Sequence, residues 1–252
     1  LTPNPCVRCN GDVRLDAMLA FAGRLGAEDL ATGHYARVTE DGLLRAAADP
    51  AKDQAYMLAA LSPESLARMR FPLAELTKPQ VRALAAEAGL PVASRAESQD
   101  LCFLAGTGKA RFLARHAGLE DRPGEIVSSA GEVVGRHRGA HHFTVGQRKG
   151  LGVAAREPLY VLRTEGTRVV VGGRDELATE RVRVRGARLH RPGEEVDAVR
   201  LRYHSRAVPC RVTGAGSNLE LELAEPFHGA APGQTACLLR GDVVVGWATI
   251  SA

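Results

Sequence analysis

No apolar run among the 252 residues approaches the roughly 20 needed to cross a bilayer. The opening Leu-Thr-Pro-Asn-Pro carries neither the basic nor the apolar segment of a secretory signal, so a cytoplasmic chain with no membrane partner is expected. The first residue is also not Met, which predicts a chain that starts in mid-protein. No internal repeat or low-complexity linker divides it. No G-x-x-x-x-G-K-[ST] loop is present, and the only Gly-Gly pair, Gly172-Gly173, precedes Arg174 in a sheet-rich region. Any nucleoside triphosphate would therefore meet its phosphate loop outside these residues. Cysteines number five, odd and unevenly spaced, in a chain too large to depend on disulfides, which points to a reducing compartment.

What is present describes an ordinary globular protein: 45% hydrophobic and 25% charged, with a length that favours two or three domains. A net charge of +4 permits a polyanionic partner without requiring one. Residues 10–26, "NGDVRLDAMLAFAGRLG", space Val13, Leu15, Met18, Leu19, Ala22 and Leu25 as an amphipathic helix, with Asn10 as N-cap and Gly26 as stop. "AEDLATGHYARV" reads as a short buried strand ending at Gly33. In a parallel α/β sheet that end would lie on the ligand-bearing rim with His34. "TKPQVRALAAEAGLP" sets Thr77 and Gln80 at capping-box spacing and stops at Gly89. From about residue 123 the chain becomes short runs of alternating polarity broken by glycine, which predicts antiparallel sheets and a small barrel.

The stretch "TPNPCVRCN", residues 2–10, poses the chemical question. Cys6 and Cys9 could be a zinc half-site, a redox pair, iron–sulfur ligands, or one nucleophile with an incidental neighbour. No second C-x-x-C or paired histidines complete a familiar zinc site, so no structural metal is expected. Cys9, before the predicted helix and near Arg8 and Arg14, is placed for a reactive thiolate. Cys210 and Cys237 alternate with apolar residues and read as core packing. His137, His141 and His142 of "GRHRGAHHF" read as polar surface. "VGQRKGLG", residues 145–152, offers Arg148 and Lys149 to phosphate between glycines, and "KDQ", residues 52–54, could be a polar contact loop.

Seven tracts, "TPNPCVRCN", "ATGHYAR", "KDQAYML", "FPLAELTKPQVRALAAEAGLPVA", "ESQDLCF", "FTVGQRKGLG" and "PGQTA", occur in the order found in the tRNA-specific 2-thiouridylase family. The chain resembles that family over essentially its whole length. The resemblance implies an α/β plus all-β fold: the remainder of an ATP-pyrophosphatase-like parallel α/β domain over residues 1–106, a small central domain over 107–174 and a C-terminal antiparallel β-barrel over 175–252. The family's N-terminal pyrophosphate loop is absent, so the chain resembles the family with roughly its first quarter missing.

The implied activity is ATP-dependent, magnesium-assisted replacement of the 2-oxo group of a tRNA wobble uridine by sulfur. The sulfur would come from a sulfur-carrier or cysteine-desulfurase-linked donor protein. By position, Cys9 is implied as nucleophile and Cys102 as persulfide carrier, with a disulfide between them in the cycle. Asn4, Pro5 and Cys6 would lie against the target base, and Gly33 would meet the adenosine of ATP. His34, Lys52, Asp53, Gln54, Arg202, Tyr203 and Gln234 would contact tRNA. Cys6 stands where other members have aspartate. Two alternatives stay open: an iron–sulfur cluster on Cys6, Cys9 and Cys102, and a noncatalytic tRNA-binding module. As a fragment without its phosphate loop, the chain by itself is expected to be inactive.

Overall fold

The computed structural model describes residues 2–95, 101, 102, 104 and 108–251. The expected boundary at residue 106 and residues 97–100 and 103 of the "ESQDLCF" tract lie outside the described residues.

The first helix begins earlier than its spacing suggests. The Asn4 carboxamide oxygen accepts hydrogen bonds from the amides of Cys6 (3.1 Å) and Val7 (3.4 Å) and starts α1 (Pro5–Arg8). The path continues through a π-helical turn, Cys9–Arg14, into α2 (Leu15–Arg24). Asn10 is therefore not the cap, and Cys9 lies inside the helical run rather than before it. Asn4 followed by proline is the better start, because the side chain caps the orphan amides while Pro5 has a preset φ and no N–H to lose. Asn10 is instead buried and donates from Nδ2 to the Met57 carbonyl at 3.1 Å. Gly11 sits in the π turn because a Cβ there would stand 2.4 Å from Ala60 Cβ. Gly26, with φ 82°, ends the run as expected.

The apolar residues of α2 divide between two faces. Leu15 and Leu19, one turn apart, enter the core with Leu58, Leu61 and Leu66. Met18, Phe21 and Leu25 face outward and, with Leu30, line a cleft of about 370 Å³.

Strand β1 (Leu30–Ala31) ends two residues short of Gly33. The hairpin β2 (Arg37–Val38) and β3 (Leu44–Arg45) follows. Then come α3 (Ala55–Leu58), α4 (Pro63–Ala67) capped by Ser62, and β4 (Met69–Arg70). β1 and β4 pair in parallel through Leu30↔Met69, so Gly33 and His34 lie just past the carboxyl end of a parallel strand. α5 (Lys78–Glu87) starts at Thr77, whose amide donates to Gln80 Oε1 at 2.7 Å, and is followed by Gly89 at φ 66°. α6 (Lys109–Ala117) leads into the sheet-rich half.

The central sheet contains β5 (Gly124–Ser128), β6 (Val133–His137), β7 (Tyr160–Glu165) and β8 (Arg168–Gly172) in the order β6-β5-β8-β7. Two hairpins lie side by side, joined by the parallel pair β5–β8, whereas only antiparallel pairing was expected. Alternation and glycine turns specify each hairpin locally. The junction follows from burial of Ile126, Val169 and Val171 in one core. His137 also departs from its surface assignment: it is buried, with Nε2 3.0 Å from the Thr167 carbonyl.

The last six strands are β9 (Ala178–Leu189), β10 (Ala198–Arg200), β11 (Val208–Ala215), β12 (Asn218–His228), β13 (Thr235–Arg240) and β14 (Val243–Ile250). They run β10-β11-β12-β9-β14-β13, and β13 pairs back to β10, which closes an antiparallel barrel around Val199, Leu201, Leu221 and Leu238. The β2–β3 hairpin, far away in sequence, adds to β14 through Val243↔Arg45 and is held by an Arg45–Asp242 ion pair at 2.7 Å. Cys237 is buried and Cys210 half-buried; burial pushes each thiol up to about 12, so both stay protonated at neutral pH. Among the described residues no helix is long and apolar enough to cross a membrane.

Candidate functional site

The N-terminal stretch is clamped between the barrel and the central sheet. The Thr2 amide donates to the Pro232 carbonyl at 2.9 Å, and Gln234 Nε2 donates to the Thr2 carbonyl at 2.6 Å. Thr2 Oγ1 reaches Thr144 Oγ1 at 3.5 Å. A Cβ on Gly233, whose φ is 95°, would stand 2.9 Å from Thr2 N, so glycine is required for this approach. From below, the fully buried Tyr56 of α3 donates to the Thr235 carbonyl at 2.9 Å and is in hydrogen-bond contact with the Asn4 side chain. Burial pushes the Tyr56 phenol far above its ordinary value, so it acts as a neutral donor. Tyr203 stacks on it with ring centroids 6.0 Å apart.

On this platform α1 and the π turn hold Cys6 and Cys9, both half-buried, and Cys102 is exposed. Burial raises the pKa of the Cys6 thiol, the charges of Cys102 and Cys9 raise it further, and Arg14 opposes them. Cys6 in turn acts on Tyr203. All five cysteines are free thiols. Arg14 also faces His34, so one cation serves both the thiol side and the carboxyl end of β1.

His34 lies against Thr32 Oγ1, 2.9 Å from Nδ1, and packs edge-on against Phe71. Burial first, and Arg14 second, hold its imidazole below 6.5. His190 is lowered likewise, with burial outweighing the opposing pull of Glu64. In the folded chain both take up a proton at lower pH than an unfolded imidazole, which does so at about 6.5. Their stabilising contribution is thus complete above about 6.5 and lost as the pH falls from there through the depressed native values. The urea midpoint should therefore be lower at about pH 5.5 than at about pH 7.5, and His34→Gln should shrink that drop. An equal drop in the variant would show that His34 does not contribute.

The other candidate contacts hold the scaffold together as well as bordering the site. Asp53 is buried; its Oδ1 accepts from the amides of Ala47 and Ala55, both at 3.1 Å, and its Oδ2 pairs with an Arg200 amino group at 2.9 Å. Gln54 Oε1 accepts from the Tyr35 amide at 3.0 Å. Lys52 is half-buried and acts on Tyr203. Arg202 threads between Gly146 and Gly229, donating to the carbonyls of Val145 (3.0 Å) and Gly229. Both glycines have positive φ, and a Cβ on either would collide with the guanidinium. Arg202 and Gln234 border a cleft of about 340 Å³ with Thr144, Gln147 and Ala231. Arg148 and Lys149 are exposed on the adjoining loop.

Sequence reasoning passed over Arg200 and Tyr56. Arg200 alternates with the buried Val199 and Leu201 as any solvated strand residue would, so nothing marks it as the partner of Asp53. Tyr56 lies inside the quoted tract "KDQAYML", where an isolated phenol in an apolar run was a signal for a buried hydrogen bond.

Gly33 is exposed, and a Cβ there would meet only Leu73 at 3.8 Å, so a flat ring could lie against it. No P-loop sequence accompanies it. Among the described residues the one cluster whose potential metal-binding atoms all fall within 4.8 Å is Asp121, His141 and His142; the three cysteine sulfurs do not form such a set.

Comparison with known proteins supplies the remaining observations. Residues 1–106 match the family described as tRNA methyl transferase HUP domain, residues 110–172 its PRC-barrel domain, and residues 174–250 the aminomethyltransferase beta-barrel domain. The chain is 44% identical over 266 aligned residues to the tRNA-specific 2-thiouridylase MnmA of Geobacter metallireducens, covering 100% of this chain and 71% of the relative. It is 44% identical to the MnmA of Acidithiobacillus ferrooxidans over 97% of this chain and 73% of that one. The bifunctional protein NifU/MnmA of Rubrobacter xylanophilus is 45% identical over 96% of this chain and 49% of its own length.

Proposed function

The chain belongs to the tRNA-specific 2-thiouridylase family, and on that premise we propose that it works in exchanging the 2-oxo group of a tRNA wobble uridine for sulfur carried as a persulfide on Cys102. The observation that carries this reading is the 44% identity to an MnmA over the whole of this chain, together with α1 and the π turn holding Cys6 and Cys9 above a platform of Asn4, Tyr56 and Tyr203.

A uridine C2 carbonyl is a poor electrophile, so ATP serves as the activating co-substrate, turning the oxygen into an AMP leaving group. The terminal sulfur of the Cys102 persulfide attacks C2, and AMP departs with the oxygen. The Cys9 thiolate then attacks Cys102 Sγ, the sulfur–sulfur bond to the base breaks, and 2-thiouridine leaves with a Cys9–Cys102 disulfide behind. A thiol reductant returns the two electrons before the next cycle.

A flipped-out base suits an anticodon loop, where unstacking costs little. The platform of Asn4, Pro5 and Cys6 is the surface for that base. His34, Lys52, Arg202, Tyr203 and Gln234 edge the path of the RNA, while Asp53 and Gln54 shape the loop that carries Lys52. Adenosine would lie at Gly33, and the phosphates would be held by residues outside this sequence. A donor protein delivers the sulfur; the fusion of NifU to MnmA in one relative fits a protein partner at this site.

The chain as given should bind tRNA with affinity that falls steeply with salt, yet form no tRNA-dependent AMP. Filter binding at two salt concentrations and a radiolabelled ATP assay check both. Salt-independent binding would remove the RNA path, and AMP formation would put the phosphate site within these residues.

A further inference from the structure

We propose that Asp121, His141 and His142 form a three-ligand site in the central sheet for a transition-metal dication, zinc by its donor chemistry. The ligands come from two separate segments. Asp121 lies in the link between α6 and β5, whereas His141 and His142 belong to a short 3-10 turn, Ala140–His142, after β6. Asp121 Oδ1 is 2.8 Å from His142 Nε2 and 3.7 Å from His141 Nε2, and the three ligand atoms all lie within 4.8 Å of one another. A tetrahedral ion with bonds of about 2.0–2.1 Å separates its ligands by about 3.3 Å, a value the two measured edges straddle.

The backbone is shaped around the cluster. At Gly139 a Cβ would stand 2.6 Å from His141 Cε1 and 3.4 Å from Asp121 Oδ1, so only glycine lets the chain pass this close to both. The imidazole rings lie 4.0 Å apart at 48°, presenting both Nε2 atoms toward the same carboxylate oxygen. The other oxygen, Oδ2, is engaged by the mostly exposed Arg138 at 3.4 Å, which leaves Oδ1 to the imidazoles. Two imidazoles and one carboxylate suit zinc among the common dications, and a fourth position is left for water.

The ion would act as a staple. It joins the link following α6 to the turn that enters residues 144–147, where Thr144 meets Thr2 and Arg202 grips the loop from the barrel. Metal binding would thereby consolidate the contact between central sheet and barrel on which the N-terminal stretch rests.

The test uses the untagged chain with Cys6, Cys9 and Cys102 replaced by serine, so that thiolates do not compete, and titrates it with cobalt and then zinc. One equivalent of cobalt should bind with visible absorption and no sulfur-to-metal charge-transfer band, and zinc should displace it and raise the melting temperature. Asp121→Asn and His142→Ala, with unchanged far-ultraviolet circular dichroism, should each weaken binding by more than the roughly 10–100-fold that loss of an outer partner causes. Gly139→Ala, which leaves all three ligands in place, should also weaken it. No stoichiometric binding, or equal binding by a His141→Ala/His142→Ala variant, would overturn the proposal.

Discussion

Cys9→Ser and Cys102→Ser should each reduce 2-thiouridine formation by the full-length protein to background, a loss of about a thousandfold or more by the standard of removed covalent nucleophiles. Each sulfur forms or breaks a bond in the proposed cycle, and a serine hydroxyl can neither carry a persulfide nor attack a disulfide at neutral pH. The defects should differ in kind. Cys102→Ser should fail to accept labelled sulfur from the donor, whereas Cys9→Ser should accept it and stall before release. Cys6→Ala should continue to thiolate, because burial and two neighbouring thiols disfavour its charged form. Loss of activity in Cys6→Ala together with anaerobic iron uptake would replace the persulfide route by a three-cysteine cluster. Cys210→Ser and Cys237→Ser should alter stability alone, since both thiols are held protonated in β11 and β13. Mass spectrometry of digested tRNA reads every variant, and substantial thiolation by either Cys9→Ser or Cys102→Ser would sink the assignment.

Asp53→Ala should destabilise the chain by about 3–5 kcal/mol, the range for breaking one side of a buried ion pair. Its carboxylate, with a side chain only 5% exposed, is the ion-pair partner of Arg200 and accepts two backbone amides as well. Removing it leaves a guanidinium and two N–H groups to find water in a packed interface. Arg200→Met added to Asp53→Ala should recover part of the loss, because the uncompensated charge then disappears. Urea denaturation of the single and double variants measures both effects. An unchanged midpoint in Asp53→Ala combined with weakened tRNA binding would instead make Asp53 an RNA contact and leave the barrel junction without its anchor.

The position of Asp53 shows why contact residues are harder to read than reactive ones. The thiol pair in "NPCVRC" signals reactive chemistry wherever it lies, while leaving metal, redox, cluster and nucleophile uses to choose between. A polar tract such as "KDQ" advertises only polarity. Whether Asp53 meets phosphate, water or Arg200 depends on a strand that begins at Ala198. Arg202 and Gln234 pose the same difficulty: both bond to backbone carbonyls that come from other parts of the chain.

The sequence by itself determined the features whose causes lie within a few residues: the Thr77–Gln80 capping box, the glycine stops at 26 and 89, and alternation sufficient for barrel strands. It also carried the family, because seven ordered tracts are a one-dimensional signal. Local reading erred where two local solutions competed, as at Asn10, which lost to the upstream Asn4-Pro5 start. Only the tertiary structure decided the parallel β5–β8 junction, the joining of the β2–β3 hairpin to β14, and the meeting of Asp121 with His141 and His142. Such pairings satisfy backbone hydrogen bonds and bury apolar faces between segments far apart in the chain, and neither requirement leaves a mark in the spacing of either segment alone.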